Sequence, residues 1–288
     1  MKPLHLILLL LLGFGKSFAL QDDSPSKTYT HELISEAGNE YLIKVTTPPD
    51  YSTDKQYATL YYLDAWWLED LVNGTYNVLN YSQNMEPVIL VGISLKGNER
   101  DFNAQRTRDY TPTPFDMQLM KFPFSIPLKS GVFEVNEENS GGATLFRKFL
   151  KDKVFEVISS SYAVNENKRG FLGHSFGGLF GVYELFKEDS LFTDYIVIAP
   201  ALWWNKSEGL YESLTRIQEL DSWSANLYIC YGALNDLFVV KWTDRFVAQL
   251  ESNPVKGLNY KFVQYPEDDH VSVLPKAIYD GLQFLFLK

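Results

Sequence analysis

Seven short apolar runs, rich in β-branched and aromatic residues, recur along the chain at 41–46, 58–63, 88–94, 169–172, 195–199, 226–231 and 259–263. Several have no polar face. A strand of that kind must be buried on both sides, which is the condition of a largely parallel sheet covered by helices. Helical patterns separate the runs and are predicted over 144–160, 179–187, 207–220, 239–250 and 275–287. In the first of these, Phe146, Phe149, Leu150, Val154, Val157 and Ile158 recur at three- and four-residue spacing, and Lys151, Asp152 and Lys153 lie on the opposite, wet face. Pro275 stands in the first turn of the last helix, where its missing N–H costs nothing. Strand–helix alternation of this regularity predicts an α/β architecture, a mostly parallel central sheet with helices on both faces. The first strands follow one another without long helices between them, so that edge is expected to be antiparallel. Residues 97–140 break the pattern: periodicity is weak and Pro112, Pro114, Pro123 and Pro127 interrupt it. A stretch this long without regular structure is expected to be a surface excursion or a flap beside a site.

The run at 169–172 leads straight into Gly173-His174-Ser175-Phe176-Gly177 and then a helical pattern. Gly-x-Ser-x-Gly between strand and helix is a nucleophile elbow, a turn so sharp that its flanks have no room for side chains. A serine hydroxyl needs a base to take its proton. Of the four histidines, His5 and His31 lie near the N-terminus, and His174 precedes the serine with its side chain on the other side of the turn. His270, in the loop between the last strand and the last helix, is the candidate base, in the place the α/β-hydrolase order Ser…acid…His requires. The orienting acid belongs just beyond the strand at 226–231, where Asp236 is the carboxylate available. Asp236 also stands before an apolar helical pattern, where an N-cap is the competing role. A Ser–His dyad without an acid stays open as well. For the oxyanion hole, the candidate donors are the backbone N–H of Phe176 and that of Trp66 or Ala65, in the loop after the strand at 58–63.

Composition narrows the class further. A net charge of −10 argues against nucleic-acid and anionic-membrane surfaces, which need basic patches. Cys230 is the single cysteine, so neither an internal disulfide nor a multi-cysteine metal site is expected, and no cofactor is implied. At the N-terminus, Lys2, an apolar block at 4–12 and the small-x-small triplet Ser17-Phe18-Ala19 read as a cleavable signal peptide over 1–19. The block is far short of the roughly 20 residues that span a bilayer. With no cysteine at the cleavage point for a lipid anchor, the expectation is a secreted or periplasmic protein with one domain over 20–288.

Four stretches together carry a family resemblance: "LYYLDAWW" at 60–67, "RTRDYTPT" at 106–113, "GFLGHSFGGLF" at 170–180, and "APALWW" at 199–204 with "PEDDHVSV" at 266–273. The chain resembles the esterase D-related branch of the α/β hydrolases, the putative-esterase family that includes the enterochelin and salmochelin esterases. The resemblance implies an α/β-hydrolase fold and a serine esterase acting on a small-molecule ester, with no metal or cofactor. It also implies Arg106 or Arg108 near the site, able to grip a carboxylate or phenolate, and Trp203 among the substrate-binding residues. A salt bridge of either arginine with Asp101 or Asp109 is the competing role. Two departures stand out. Ala65 occupies a position where relatives often have Gly, and Asn235, with Asp236 one step on, stands where relatives often have Gly-Glu-x-Glu. An acyltransferase with the same triad, and a non-catalytic binding protein on the hydrolase scaffold, are the alternatives.

Overall fold

In the computed structural model, which describes residues 25–82, 85–119, 129–130, 133–207 and 224–288, the apolar runs pair into one sheet. Its strands are β1 (Lys27–Ile34), β2 (Glu40–Thr47), β3 (Tyr57–Tyr62), β4 (Val88–Leu95), β5 (Val164–His174), β6 (Asp194–Ile198), β7 (Ala225–Gly232) and β8 (Leu258–Tyr265). They lie in the order β1-β2-β4-β3-β5-β6-β7-β8. From β4 to β8 every pairing is parallel, and β1–β2 and β2–β4 are antiparallel. This is the mostly parallel sheet of an α/β hydrolase with an antiparallel edge; the runs at 58–63 and 88–94, expected without a long helix between them, are instead separated by the helix Ala65–Ser82 and pair in parallel. Every residue of β3 and β4 is buried, as runs without a polar face require.

The helices are α1 (Ala65–Ser82), α2 (Glu99–Tyr110), α3 (Ala143–Phe149), α4 (Phe155–Ser161), α5 (Phe176–Leu185), α6 (Leu237–Ser252) and α7 (Leu274–Phe286). A π-helical turn, Leu150–Val154, joins α3 to α4. Phe149 and Leu150 at its start and Val154 and Phe155 at its end are all buried. The stretch 97–140, expected to lack regular structure, opens with α2. Asn98 caps that helix, accepting from the N–H groups of Arg100 and Asp101, and Asp101 returns the bond to the N–H of Asn98. Most of the helix expected over 207–220 and the signal segment 1–19 lie outside the described residues.

Parallel strands deliver their C-terminal ends to one edge of the sheet, so the loops that follow β3, β5, β6, β7 and β8 converge there. That edge holds the elbow.

Candidate active site

Ser175 has φ 58° and ψ −113°, between the last residue of β5 and the first of α5. A non-glycine residue with positive φ stores strain of about 1–3 kcal/mol and needs its surroundings to hold it. They do so on three sides. The Ser175 N–H donates to the Ile198 carbonyl at 3.0 Å, and the Ser175 carbonyl accepts from Leu179 at 2.9 Å and Ala201 at 3.0 Å. Gly173 is required by the same turn, because a Cβ there would lie 2.2 Å from the Gly177 carbonyl oxygen. The sequence and the backbone thus agree on a bend that fixes one hydroxyl-bearing residue at the strand end.

The loops after β7 and β8 are built against each other. A Cβ on Gly232 would fall 2.2 Å from the Asp268 carbonyl oxygen, so only glycine permits the approach. Ala233 N–H then donates to Tyr265 at 2.8 Å, and Leu234 N–H to Asp268 at 2.9 Å. The acidic stretch before His270 stiffens this loop. Asp269 Oδ1 accepts from Val271 N–H at 2.9 Å and Ser272 N–H at 2.8 Å, and Asp268 pairs with Lys276 at 2.7 Å. Those two backbone donors hold the Asp269 carboxyl below the usual aspartate range.

His270 is half-buried, and its Nδ1 lies 3.1 Å from Nδ2 of Asn235. The carboxylate expected there, Asp236, is turned away. Its Oδ1 accepts from Phe238 N–H at 2.9 Å and Val239 N–H at 3.0 Å as the N-cap of α6. The reason is local. Asp236 is the last residue before the helix, in an extended conformation that aims its side chain at the first-turn N–H groups. Asp236 reaches His270 only through its field. Burial lowers the His270 pKa and Arg106 adds to the effect, while Asp236 and Asp269 act the other way.

His174 lies against His270, the two rings 4.5 Å apart. Its Nε2 sits 2.8 Å from the His270 carbonyl oxygen, which can only accept, so Nε2 carries the proton. Nδ1 of the same ring is buried without a partner. Burial, then the neighbouring His270 and Arg106, push the His174 pKa well below the ordinary value. A neutral His174 therefore braces the His270 loop.

On the other side of the elbow, the first N–H groups of α5 and α1 have no intrahelical acceptor. Phe176 N–H belongs to one set, Ala65 and Trp66 N–H to the other. The two helix starts adjoin: a Cβ on Gly177 would be 3.5 Å from Leu63 and 3.7 Å from Asp64 Oδ2. Asp64, at φ 59° and fully buried, is held by Arg106 through Nε at 3.1 Å and Nη2 at 2.9 Å. The guanidinium also lies over the Phe176 ring at 5.4 Å, and its Nη2 sits 3.4 Å from the His174 carbonyl oxygen. Arg106 is thus a brace between the α1 loop and the elbow, with Asp64 as its partner and not Asp101 or Asp109. Arg108 pairs bidentately with Asp109, which also accepts from Tyr41. Both arginines are engaged inside the protein. Trp203 is buried with its ring 6.0 Å from Phe176, and Trp204 packs at 5.4 Å on the same ring. Trp66 and Trp67 in the first turn of α1, Leu234 and Val271 in the loops after β7 and β8, and Leu237 at the start of α6 are exposed large apolar side chains near the same strand ends.

Three features are not foreseen from the sequence: Asn235 at the imidazole, Asp64 beneath the α1 loop, and the bond from His174 to the His270 carbonyl oxygen. Asn235 had a signal in the departure from Gly-Glu-x-Glu, and Asp64 in the "LDAWW" segment. No metal-type cluster of three or more His, Cys, Asp or Glu occurs among the described residues, nor any helix long and apolar enough to cross a membrane.

The sequence profile of the family described as "Putative esterase" matches residues 34–249, more than half of the chain. Among curated proteins the chain is similar to the ferri-bacillibactin esterase BesA of Bacillus subtilis, 24% identical over 85% of this chain and 83% of that one. It is also similar to the apo-salmochelin esterase of Escherichia coli, 25% identical over 80% of this chain and 70% of that one. Among solved structures, the BES protein of Bacillus cereus superposes with a TM-score of 0.76 at 21% identity, covering 100% of both chains. An IroE-like serine hydrolase of Shewanella oneidensis gives 0.72 at 25% identity, covering 90% and 80%.

Proposed function

Because the chain belongs to the Putative esterase family of ester-bond hydrolases, we propose that it is an exported serine carboxylic-ester hydrolase with Ser175 as nucleophile and His270 as general base. The observation that carries this is the backbone at Ser175: φ 58° between a strand and a helix, with Gly173 tight beneath it. Strain of that kind persists where a side chain must be presented. Ser175 Oγ attacks the ester carbonyl carbon as its proton passes to His270 Nε2. The carbonyl oxygen, now negative, is held by Phe176 N–H and the N–H of Trp66 or Ala65. The alcohol leaves with the proton from His270. Water, activated by the same imidazole, then releases the acid and regenerates Ser175. Asn235, and not Asp236, is the third residue at the imidazole.

The relatives named for bacillibactin and salmochelin support a siderophore-type ester as substrate. The apolar side chains near these strand ends, Trp66, Trp67, Leu234, Leu237 and Val271, suit an aromatic acyl group such as a catecholate or feruloyl ring. The small-x-small triplet ending at Ala19 supports export to the periplasm or medium.

A fluorophosphonate probe tests the nucleophile, followed by a panel of p-nitrophenyl, feruloyl and catecholate esters. Wild-type protein is expected to be labelled at Ser175 and to hydrolyse at least one ester of the panel, and Ser175→Ala to do neither while keeping its circular dichroism. Near-wild-type turnover by Ser175→Ala would refute the assignment.

A further inference from the structure

The Asn235 side chain has two hydrogen-bonding ends, and both are committed. Its Oδ1 accepts from the Asp236 N–H at 2.9 Å. A backbone N–H is always a donor, so this contact fixes which end of the amide is oxygen; the reverse orientation would set two donors against each other. The other end, Nδ2, therefore faces His270 Nδ1 at 3.1 Å. An NH₂ group has hydrogens to give and no lone pair to offer, so Nδ1 has to accept. Asn235 is buried, which makes an unmatched bond there costly.

From this geometry we infer that Asn235 is a positioning residue that holds neutral His270 in the tautomer protonated on Nε2 and so restrains the enzyme. The inference rests on His270 being the general base of the reaction proposed above. A base must offer a lone pair to the Ser175 hydroxyl, and that lone pair belongs on Nε2. With the proton on Nε2 the ring donates toward the serine instead. Catalysis then draws on the minor Nδ1–H form, reached when the ring exchanges its proton and Nδ1 points a hydrogen at the amide. The charged groups around the ring leave this arrangement in place. Asp236 caps α6, Asp269 accepts from its own loop, and Arg106 is held by Asp64. His174, the remaining titratable neighbour, uses its Nε2 on the His270 carbonyl. Among the described residues no carboxylate is bonded to His270.

A carboxylate at position 235 would satisfy both neighbours. One oxygen would keep the Asp236 N–H and the other would accept Nδ1–H, leaving the Nε2 lone pair free. Asn235→Asp is therefore expected to raise kcat tenfold or more with KM within about twofold; the reverse change in a complete triad lowers kcat by about 10⁴. It should also move the acid limb of the pH–rate profile upward, since a carboxylate stabilises imidazolium.

Long-range ¹H–¹⁵N spectra of protein labelled in histidine read the tautomer without reference to turnover. At pH 8.5 wild-type His270, assigned by its loss in His270→Gln, is expected to carry its proton on Nε2, and Asn235→Asp on Nδ1. A wild-type Nδ1–H tautomer would overturn the inference, and so would a folded Asn235→Asp protein with kcat at or below wild type. Should Ser175→Ala still hydrolyse esters, the proposed chemistry falls while the ring assignment is read independently, so the two failures are distinct.

Discussion

Replacing Arg106 by methionine removes the brace beneath the α1 loop and leaves the Asp64 carboxylate without its partner. The Asp64 side chain is 0% exposed and that of Arg106 13%, so this pair is a buried one, outside the range of weak surface bridges. Breaking a buried pair from one side costs about 3–5 kcal/mol, because the remaining charge stays out of water. At about 2 °C per kcal/mol for a chain of this size, the Tm should fall by about 6–10 °C. Activity should fall too. Asp64 immediately precedes the Ala65 and Trp66 N–H groups proposed as oxyanion donors, and a donor displaced by about 1 Å can lower turnover about 100-fold. Differential scanning fluorimetry reads the first effect, and turnover of a p-nitrophenyl ester the second. Adding Asp64→Asn removes the stranded charge, so the double variant should regain about 1–3 kcal/mol relative to Arg106→Met alone. A Tm within 2 °C of wild type for Arg106→Met, with kcat within twofold, would refute the idea that this pair holds the oxyanion loop.

The pH dependence has a definite sign. Burial, and secondarily Arg106, lower the His270 pKa, so the acid limb of kcat/KM should lie below histidine's reference value of about 6.5; a limb above it would contradict the site described. The His174 pKa is lowered as well, so the unfolded chain takes up protons first on acidification. The stability this ring contributes is full above about pH 6.5 and is lost as pH falls toward its folded value, which urea titrations at pH 8 and pH 5.5 would show. Asp236→Asn should keep turnover within a few-fold of wild type, since asparagine caps helices about as well, and Asp236→Ala should cost about 1 kcal/mol with activity retained. A loss of several powers of ten in Asp236→Asn would return the acid role to Asp236.

How far the chain could be read follows from where each element gets its stability. The interior strands are legible because both faces are buried and their runs are apolar throughout, as in β3 and β4. The strand β1 is not, because at the sheet edge Lys27 to Thr30 are all exposed, only His31 and Leu33 are half-buried, and polar residues such as Thr28, Thr30 and Glu32 interrupt any apolar run. Helix α2 has no apolar stripe. It buries Thr107, Asp109 and Tyr110 and is held by a capping box and by ion pairs, which leave no helical period in hydropathy. At the site, Ser175 and His270 stand out as candidates because strand–turn–helix context and the count of histidines restrict them. The choice between Asn235 and Asp236 turns on one position of a loop. Which side chain meets the imidazole depends on where α6 begins, and that depends on the capping bonds themselves.

Four of the six tryptophans surround the elbow, Trp66 and Trp67 in the first turn of α1 and Trp203 and Trp204 in the segment after β6. The Trp67 ring lies 6.0 Å from His174, and Trp203 and Trp204 enclose the Phe176 ring. The protein therefore carries its own optical reporter. If the proposed substrate class and acyl-enzyme route hold, emission from these indoles should change as an aromatic acyl group enters, and stopped-flow fluorescence of unlabelled protein would separate binding from acylation.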